Sequence, residues 1–423
     1  MSVITVGSYT LSISGGGSGY STATGVSVSG GTHPASGLKV DITAVSGAIV
    51  AVAVTSTSPG EDYVDGDLGT VSGGTGGVIA IGVTADFTTL NNAIADASGT
   101  TTIRTLASFV HDDTEVGVSK SDLSFESHSG DPADCVVETN YTVSYTFKFS
   151  SNKTGLSMTG MTVINNKSGG WALYMGRSAI TITECIIDCD GGIGIGFPGN
   201  PTTIQRCVFG ATTAGTTGIY RAGGAAATHA MTVDSCLFNG WSHYTMQCTT
   251  GINTIRNCTI YHPGATTSSS RGLYFNTDQS VVYNTIVYAS TESGGNVDDG
   301  VYMKSEVTNV VKNVISFGDA GENFDLGASV VTANLVSSDG TASSSAVVLP
   351  VFVSLGTDFM PDTSGSAFHN GDATFAPSTD LAGNSFDSPP SIGCYEAAAA
   401  GGGSPLVAQA PALGMNNPFS LDL

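Results

Sequence analysis

Charge is scarce in this chain. Lys and Arg together number 13 in 423 residues, and all charged residues make up 11 %, against roughly 25 % in an average globular protein. No basic cluster occurs, and no Lys or Arg follows Lys312. With 35 acids the net charge is −22. Nucleic-acid binding rests on neutralising phosphates and binding to an anionic bilayer rests on basic patches, so neither partner is expected. No apolar run approaches the ~18 residues of a membrane-spanning helix. The opening MSVITVGSYT has neither a basic stretch nor a long apolar one, so it does not read as an export signal. The 8 cysteines include no Cys-x-x-Cys pair, and Cys185/Cys189 lacks a second pair or a histidine partner. Neither a metal centre nor a cofactor is expected. Helix formers are scarce, while Gly reaches 56 residues, nearly double the ~7 % usual share. Together these point to an all-β chain.

What the chain has instead is a repeat. Residues 157–163 read SMTGMTV, and 181–187 TITECII, 203–209 TIQRCVF, 232–238 TVDSCLF, 254–260 TIRNCTI, 281–287 VVYNTIV and 310–316 VVKNVIS follow. An eighth segment, 330–336 VVTANLV, aligns Asn334 with the cysteine position. The segments recur every 20 to 29 residues. Hairpins would need tight turns between paired strands, whereas one strand per 20 to 29 residues is the mark of a β-solenoid built from one-turn rungs. Strand alternation puts Ile204, Arg206 and Val208 on one face and Gln205 and Cys207 on the other. Cys185, Cys207, Cys236 and Cys258 then form a column of small apolar thiols in the lumen, reduced and packed. Rungs stack at about 4.8 Å, so eight make a rod roughly 40 Å long.

Residues 1–80 have another texture: Gly15-Gly-Gly-Ser-Gly19-Tyr20, alternating strands over 37–54, then Ser58-Pro-Gly-Glu-Asp62-Tyr63. Gly19-Tyr20 and Asp62-Tyr63 look like two halves of one β-module, closed by a glycine-rich linker at 72–77. The stretch resembles the Gly-Ser-Gly-Tyr β-modules of bacteriophage structural proteins. In residues 81–396 the apolar positions Phe87, Leu90, Ile94 and Ala97 predict a short helix, capped by Thr88 or Thr89 and ended at Gly99. The helix, then Thr102–Leu106, then Ser129–Val136, resemble the start of pectin-lyase-like right-handed β-helices, in which a helix plugs the lumen. Pro389-Pro-Ser-Ile-Gly393-Cys-Tyr-Glu396 resembles the closing segment of such proteins. Residues 397–423 form a Gly/Ala/Pro-rich tail, disordered alone or docked on a partner. The fold class is therefore all-β: a right-handed parallel β-helix with a short capping helix, preceded by a small β-module.

Proteins of this resemblance include polysaccharide lyases, galacturonases and phage tailspike depolymerases, so catalytic patterns matter. Asn276-Thr-Asp278 followed by Asp298-Asp299-Gly300 is similar to the galacturonase pattern, in which carboxylates on neighbouring rungs act as acid and base on a glycosidic bond. The Gly-His-Gly and Arg-x-Lys of that pattern are missing: the matching region, 318–323, has no histidine. Rung-corner turn chemistry explains the same residues. His243 beside Trp241 and Tyr244 reads as a sugar-stacking patch or a part-buried corner. His262 and His369 read as lone histidines. Asp188/Asp190 reads as an acid-rich corner or a calcium site.

The resemblances imply a structural virion surface protein of a bacteriophage: a spike, fibre or capsid decoration that assembles in the host cytoplasm. They imply a homotrimer contacting other virion proteins and a host-surface polysaccharide. The alternative is a depolymerase on the same scaffold, using Asp278 with Asp298 or Asp299. Paired valines at 281–282 and 310–311 serve either as lateral interfaces or as lumen packing.

Overall fold

The computed structural model describes residues 2–396 except 7–10, 30–38, 55–66, 82–88, 106–108, 112–114, 128, 140–141, 190, 197, 199–200, 211–214, 222–228, 263–269, 278, 290–296, 307, 318–321, 338–344, 347, 349–350 and 355–357. The expected tail at 397–423, Asp62-Tyr63 and Phe87 lie outside the described residues. Two compact units divide the chain: 1–111 with 120–136, and 112–119 with 137 onward.

The first unit holds a six-stranded antiparallel sheet in the order Leu11–Ser18, Thr75–Ile81, Asp67–Val71, Ala23–Ser29, Lys39–Val45, Ala48–Val54. Tyr20 is its buried centre. Its hydroxyl donates to Val71 O (2.8 Å) and accepts from Gly77 N (3.1 Å). A Cβ at Gly74 or Gly77 would fall 2.7 or 2.4 Å from the phenol, which is why glycines face this tyrosine. In the glycine-rich stretch 72–77, residues 72–74 form a hairpin turn joining Asp67–Val71 to Thr75–Ile81, not a linker: Gly73 takes a φ of +95°, which the turn demands.

Ser2–Val6 stands apart from that sheet. It pairs in parallel with Thr101–Thr105, which pairs with Leu123–Ser127. The expected helix spans Leu90–Asp96, with Thr89 as its N-cap accepting from Asn92 N at 3.2 Å. Lys120 Nζ donates to Ala95 O and Ala97 O at 2.6 and 2.5 Å, satisfying carbonyls that the helix end leaves free.

The second unit is the right-handed parallel β-helix, seven turns with three walls. In one turn Leu156–Thr159 belongs to the first wall, Thr162–Asn165 to the second and Trp171–Tyr174 to the third. Each strand pairs in parallel with its counterpart one turn on. The lumen is built from columns. Met158, Ile182, Ile204, Val233, Ile255, Val282 and Val311 line the first wall in register, each fully buried. Leu173, Ile195, Ile219, Met246, Leu273, Val301 and Phe324 line the third.

The corner between the first two walls corrects the expected alternation. Gly160, Glu184, Arg206, Ser235, Asn257, Asn284, Asn313 and Asn334 all take left-handed φ between +45° and +62°. That single residue turns the chain, so Ile204 and Cys207 both point inward with Phe209, while Arg206 sits at the bend. The thiol column stands as expected: Cys185, Cys207, Cys236 and Cys258 are buried and unpaired. Each Sγ donates to the carbonyl two residues back, at 3.2 to 3.3 Å, and Thr285 makes the same bond at 2.8 Å. The corner also fixes the last rung. Val314 pairs with Leu335, and Asn334 occupies the bend, so the aligned segment is 331–337, one residue later than the sequence alignment put it. The paired valines divide: Val282 and Val311 are lumen, Val281 and Val310 face out half-buried.

The outer side of the second wall is covered by the described residues of 348–396. Leu237, Ile286 and Ile315 form one core with Val351, Phe352, Phe359, Ile392 and Tyr395. Gly393 N donates to Asn284 O at 2.9 Å and Cys394 N to Thr259 Oγ1 at 3.0 Å. A Cβ at Gly393, whose φ is +112°, would fall 2.9 Å from Ile286 Cδ1 and Thr259 Oγ1. The closing phrase needs its glycine for that approach.

Candidate functional site

The third wall is a nine-stranded parallel sheet running from Val116–Val118 to Glu322–Leu326. Its outward side chains fall into two columns. One runs Lys148, Tyr174, Gly196, Tyr220, Gln247, Tyr274, Tyr302, Asp325. The other runs Tyr145, Trp171, Ile193, Thr217, Tyr244, Arg271, Asp299, Glu322. Strand alternation accounts for the first column, whose tyrosines directly follow an inward aliphatic residue, as in Leu173-Tyr174, Ile219-Tyr220, Leu273-Tyr274 and Val301-Tyr302. The second column stands two residues before the inward one, at the entry to each strand, where that alternation does not hold.

These aromatics form two contiguous groups. In the first, ring centroids lie 6.0 Å apart for Tyr145–Trp171, 4.9 Å for Tyr145–Tyr174, 5.4 Å for Trp171–Tyr174 and 6.3 Å for Trp171–Tyr220. The indole lies across Gly196, where a Cβ would be 2.1 Å away; the missing side chain makes its berth. In the second group, Tyr244–Tyr274 is 5.5 Å and Tyr274–Tyr302 is a 4.8 Å stack at 19°. The Arg271 guanidinium sits 5.0 and 4.9 Å from the Tyr274 and Tyr302 ring centres, within cation–π range. All but Tyr244 are half-buried, so the rings keep open surface.

Of the three sequence-predicted carboxylates, Asp299 is on this face. It is 5 % exposed and its Oδ2 accepts from Arg271 Nε at 2.5 Å. Asp298 lies in the strand Val297–Met303 with only its backbone described, and Asp278 lies outside the described residues. The register partner of Asp299 is Glu322, exposed on the next turn. Trp241 is fully buried in the lumen and offers nothing to a sugar. His243 remains at the surface edge, 4.1 Å from Tyr244 by ring centroids, its pKa lowered by burial and then by Arg271. Asp188 is buried, and Asp190 lies outside the described residues.

Two groups escaped the sequence reading. Arg221 is a lumen residue, 1 % exposed, donating to Asn253 Oδ1 (2.6 Å), Ile252 O (3.0 Å) and His229 O (2.7 Å). His369 has acidic neighbours after all: Nε2 is 3.1 Å from Asp387 Oδ2 and 3.6 Å from Glu396 Oε1. The tyrosine column itself had a signal. Ala172-Leu-Tyr174-Met, Gly218-Ile-Tyr220-Arg, Gly272-Leu-Tyr274-Phe and Gly300-Val-Tyr302-Met are a second repeat, small–apolar–Tyr–x. The small residue is required: a Cβ at Gly218 or Gly272 would fall 2.6 or 2.7 Å from the next turn's carbonyl oxygen.

No family model matches this chain, and no curated protein does. Solved structures that resemble it include the pectate lyase Pel9A, at 13 % identity over 74 % of this chain and 91 % of that one, with a TM-score of 0.46. A pectin methylesterase from Aspergillus niger matches at 14 %, covering 64 % and 91 %, TM-score 0.35. The pectin methylesterase from carrot matches at 15 %, covering 62 % and 82 %, TM-score 0.36. The β-helix is established by the chain's own parallel strand pairing, turn upon turn; these likenesses concern the fold alone.

Proposed function

We propose that this chain is a bacteriophage surface protein whose third wall seats a host polysaccharide. The carrying observation is the double column of outward aromatics from Tyr145 to Tyr302. Aromatic rings present a negative face to the C–H edges of a sugar ring, and a turn spacing of about 4.8 Å is close to the length of one pyranose unit. With a net charge of −22 and Arg271 already paired to Asp299, the face suits neutral glycans over polyuronates. The phage assignment rests on the Gly19-Tyr20 module, and with it go a homotrimeric state, contacts with other virion proteins and a place on the virion.

Affinity electrophoresis against a panel of neutral capsular and O-antigen polysaccharides tests the reading. Retardation of the wild type that is lost in Trp171→Ala/Tyr274→Ala supports it; equal migration of the two proteins in every gel overturns it. A second reading, cleavage of the bound chain, draws on Asp299 and Glu322 standing on consecutive turns of one column, since glycosidases need two carboxylates. New reducing ends that vanish in Glu322→Gln would favour it.

A further inference from the structure

We propose that His369, Asp387 and Glu396 form a zinc-class divalent-cation site that clasps the closing segment of the β-helix. Nε2 of His369 lies 3.1 Å from Asp387 Oδ2 and 3.6 Å from Glu396 Oε1, and the three donor atoms all lie within 4.8 Å of one another. Ligands at 2.0–2.1 Å around a tetrahedral ion stand about 3.3 Å apart, so two of the three edges already have that length. The third, between Asp387 and Glu396, is within 4.8 Å, and the Asp387 side chain is 43 % exposed, so closing it displaces no packed group.

Three further observations support a cation. The Glu396 carboxylate is aimed rather than adrift: Oε1 accepts from Ser391 Oγ at 2.6 Å and Oε2 from Ser391 N at 2.8 Å, with its side chain only 4 % exposed. Such outer contacts fix a metal-binding carboxylate in place. His369 is held in a left-handed conformation, φ +48°, with its ring stacked on Phe368 at 3.8 Å; strain at a non-glycine residue marks a position the surroundings enforce. And from residue 313 onward the sequence has 11 acids, one histidine and no Lys or Arg, so within that segment His369 alone stands against the pair of carboxylates. One nitrogen and two oxygens with an open fourth position match zinc; calcium would need six or more oxygens. The ion would join residue 369 to both ends of the 387–396 strap, which carries Gly393 and Ile392 onto the second wall. The expectation that the chain holds no metal is revised by this proposal.

The test uses the untagged full-length chain, stripped of metal and titrated with Zn2+ and, separately, Co2+. The expected result is one ion per chain at this site, a rise in Tm with Zn2+ but not with Ca2+, and strong visible bands of tetrahedral Co2+. Asp387→Asn, at an exposed side chain, should weaken binding by at least about tenfold and abolish the Tm rise. Ser391→Ala should weaken it less. An Asp387→Asn protein that binds Zn2+ as the wild type does, or a wild type whose Tm ignores Zn2+, overturns the proposal.

Discussion

At the scale of single residues, the corner asparagines do two jobs. Asn284 tolerates a left-handed backbone better than most residues. Its amide also donates to Asn257 Oδ1 (3.1 Å) and Asp372 O (3.0 Å) and accepts from Asp372 N (2.9 Å). Asn284→Ala should therefore cost about 3 kcal/mol, roughly 1 from the backbone and the rest from the lost bonds. Asn284→Gly should recover the backbone part only; urea unfolding of the three proteins checks the order. His262 makes a second residue-scale prediction. It is fully buried, neither ring nitrogen has a hydrogen-bond partner among the described residues, and burial pushes its pKa down to about 4. The unfolded chain takes up a proton below the ordinary value near 6.5 while the folded one stays neutral. Stability is therefore complete above pH 6.5 and is lost as the pH falls toward 4, by about 3 kcal/mol in all. His262→Phe should flatten that slope, as measured by Tm between pH 4 and 7.

At the scale of elements, the seven-residue repeat was legible because lumen packing imposes the same sizes turn after turn. The cysteine column came straight out of it. The single bend residue did not, because Glu, Arg, Ser and Asn share no composition; they share only a φ, so straight-strand alternation misassigned Arg206 and slipped the last rung by one. The aromatic wall was missed for a related reason. Its small–apolar–Tyr signal is short, and loops of varying length separate it from the main repeat. The carboxylate pattern drew attention instead, yet it placed only Asp299 among the described side chains of this face. Two predictions belong here. All 8 thiols are buried, so Ellman's reagent should react with none in the native protein and with 8 after denaturation; a fast-reacting native thiol would break the column. Gly393→Ala forces a Cβ into Ile286 and Thr259 at a φ that L residues avoid, and should cost about 2–3 kcal/mol, read as a lowered urea midpoint.

At the scale of the whole molecule, the β-helix spends its three walls differently. In the first wall, ion pairs such as Glu184–Arg206 and Asp234–Arg256 lie along the corner. The second is roofed by residues 348–396, and the third carries its aromatics outward. Deleting 348–396 should uncover Leu237, Ile286 and Ile315, and so give a protein that binds a hydrophobic dye and self-associates at low concentration. The central claim is that glycan contact belongs to the third wall. Hydroxyl-radical footprinting of the wild type, with and without a polysaccharide that retards it, tests this most directly. Protection concentrated on Trp171, Tyr174, Tyr220, Tyr274 and Tyr302 is the predicted result; protection centred on Tyr283 and the first wall, with those five unchanged, would contradict it.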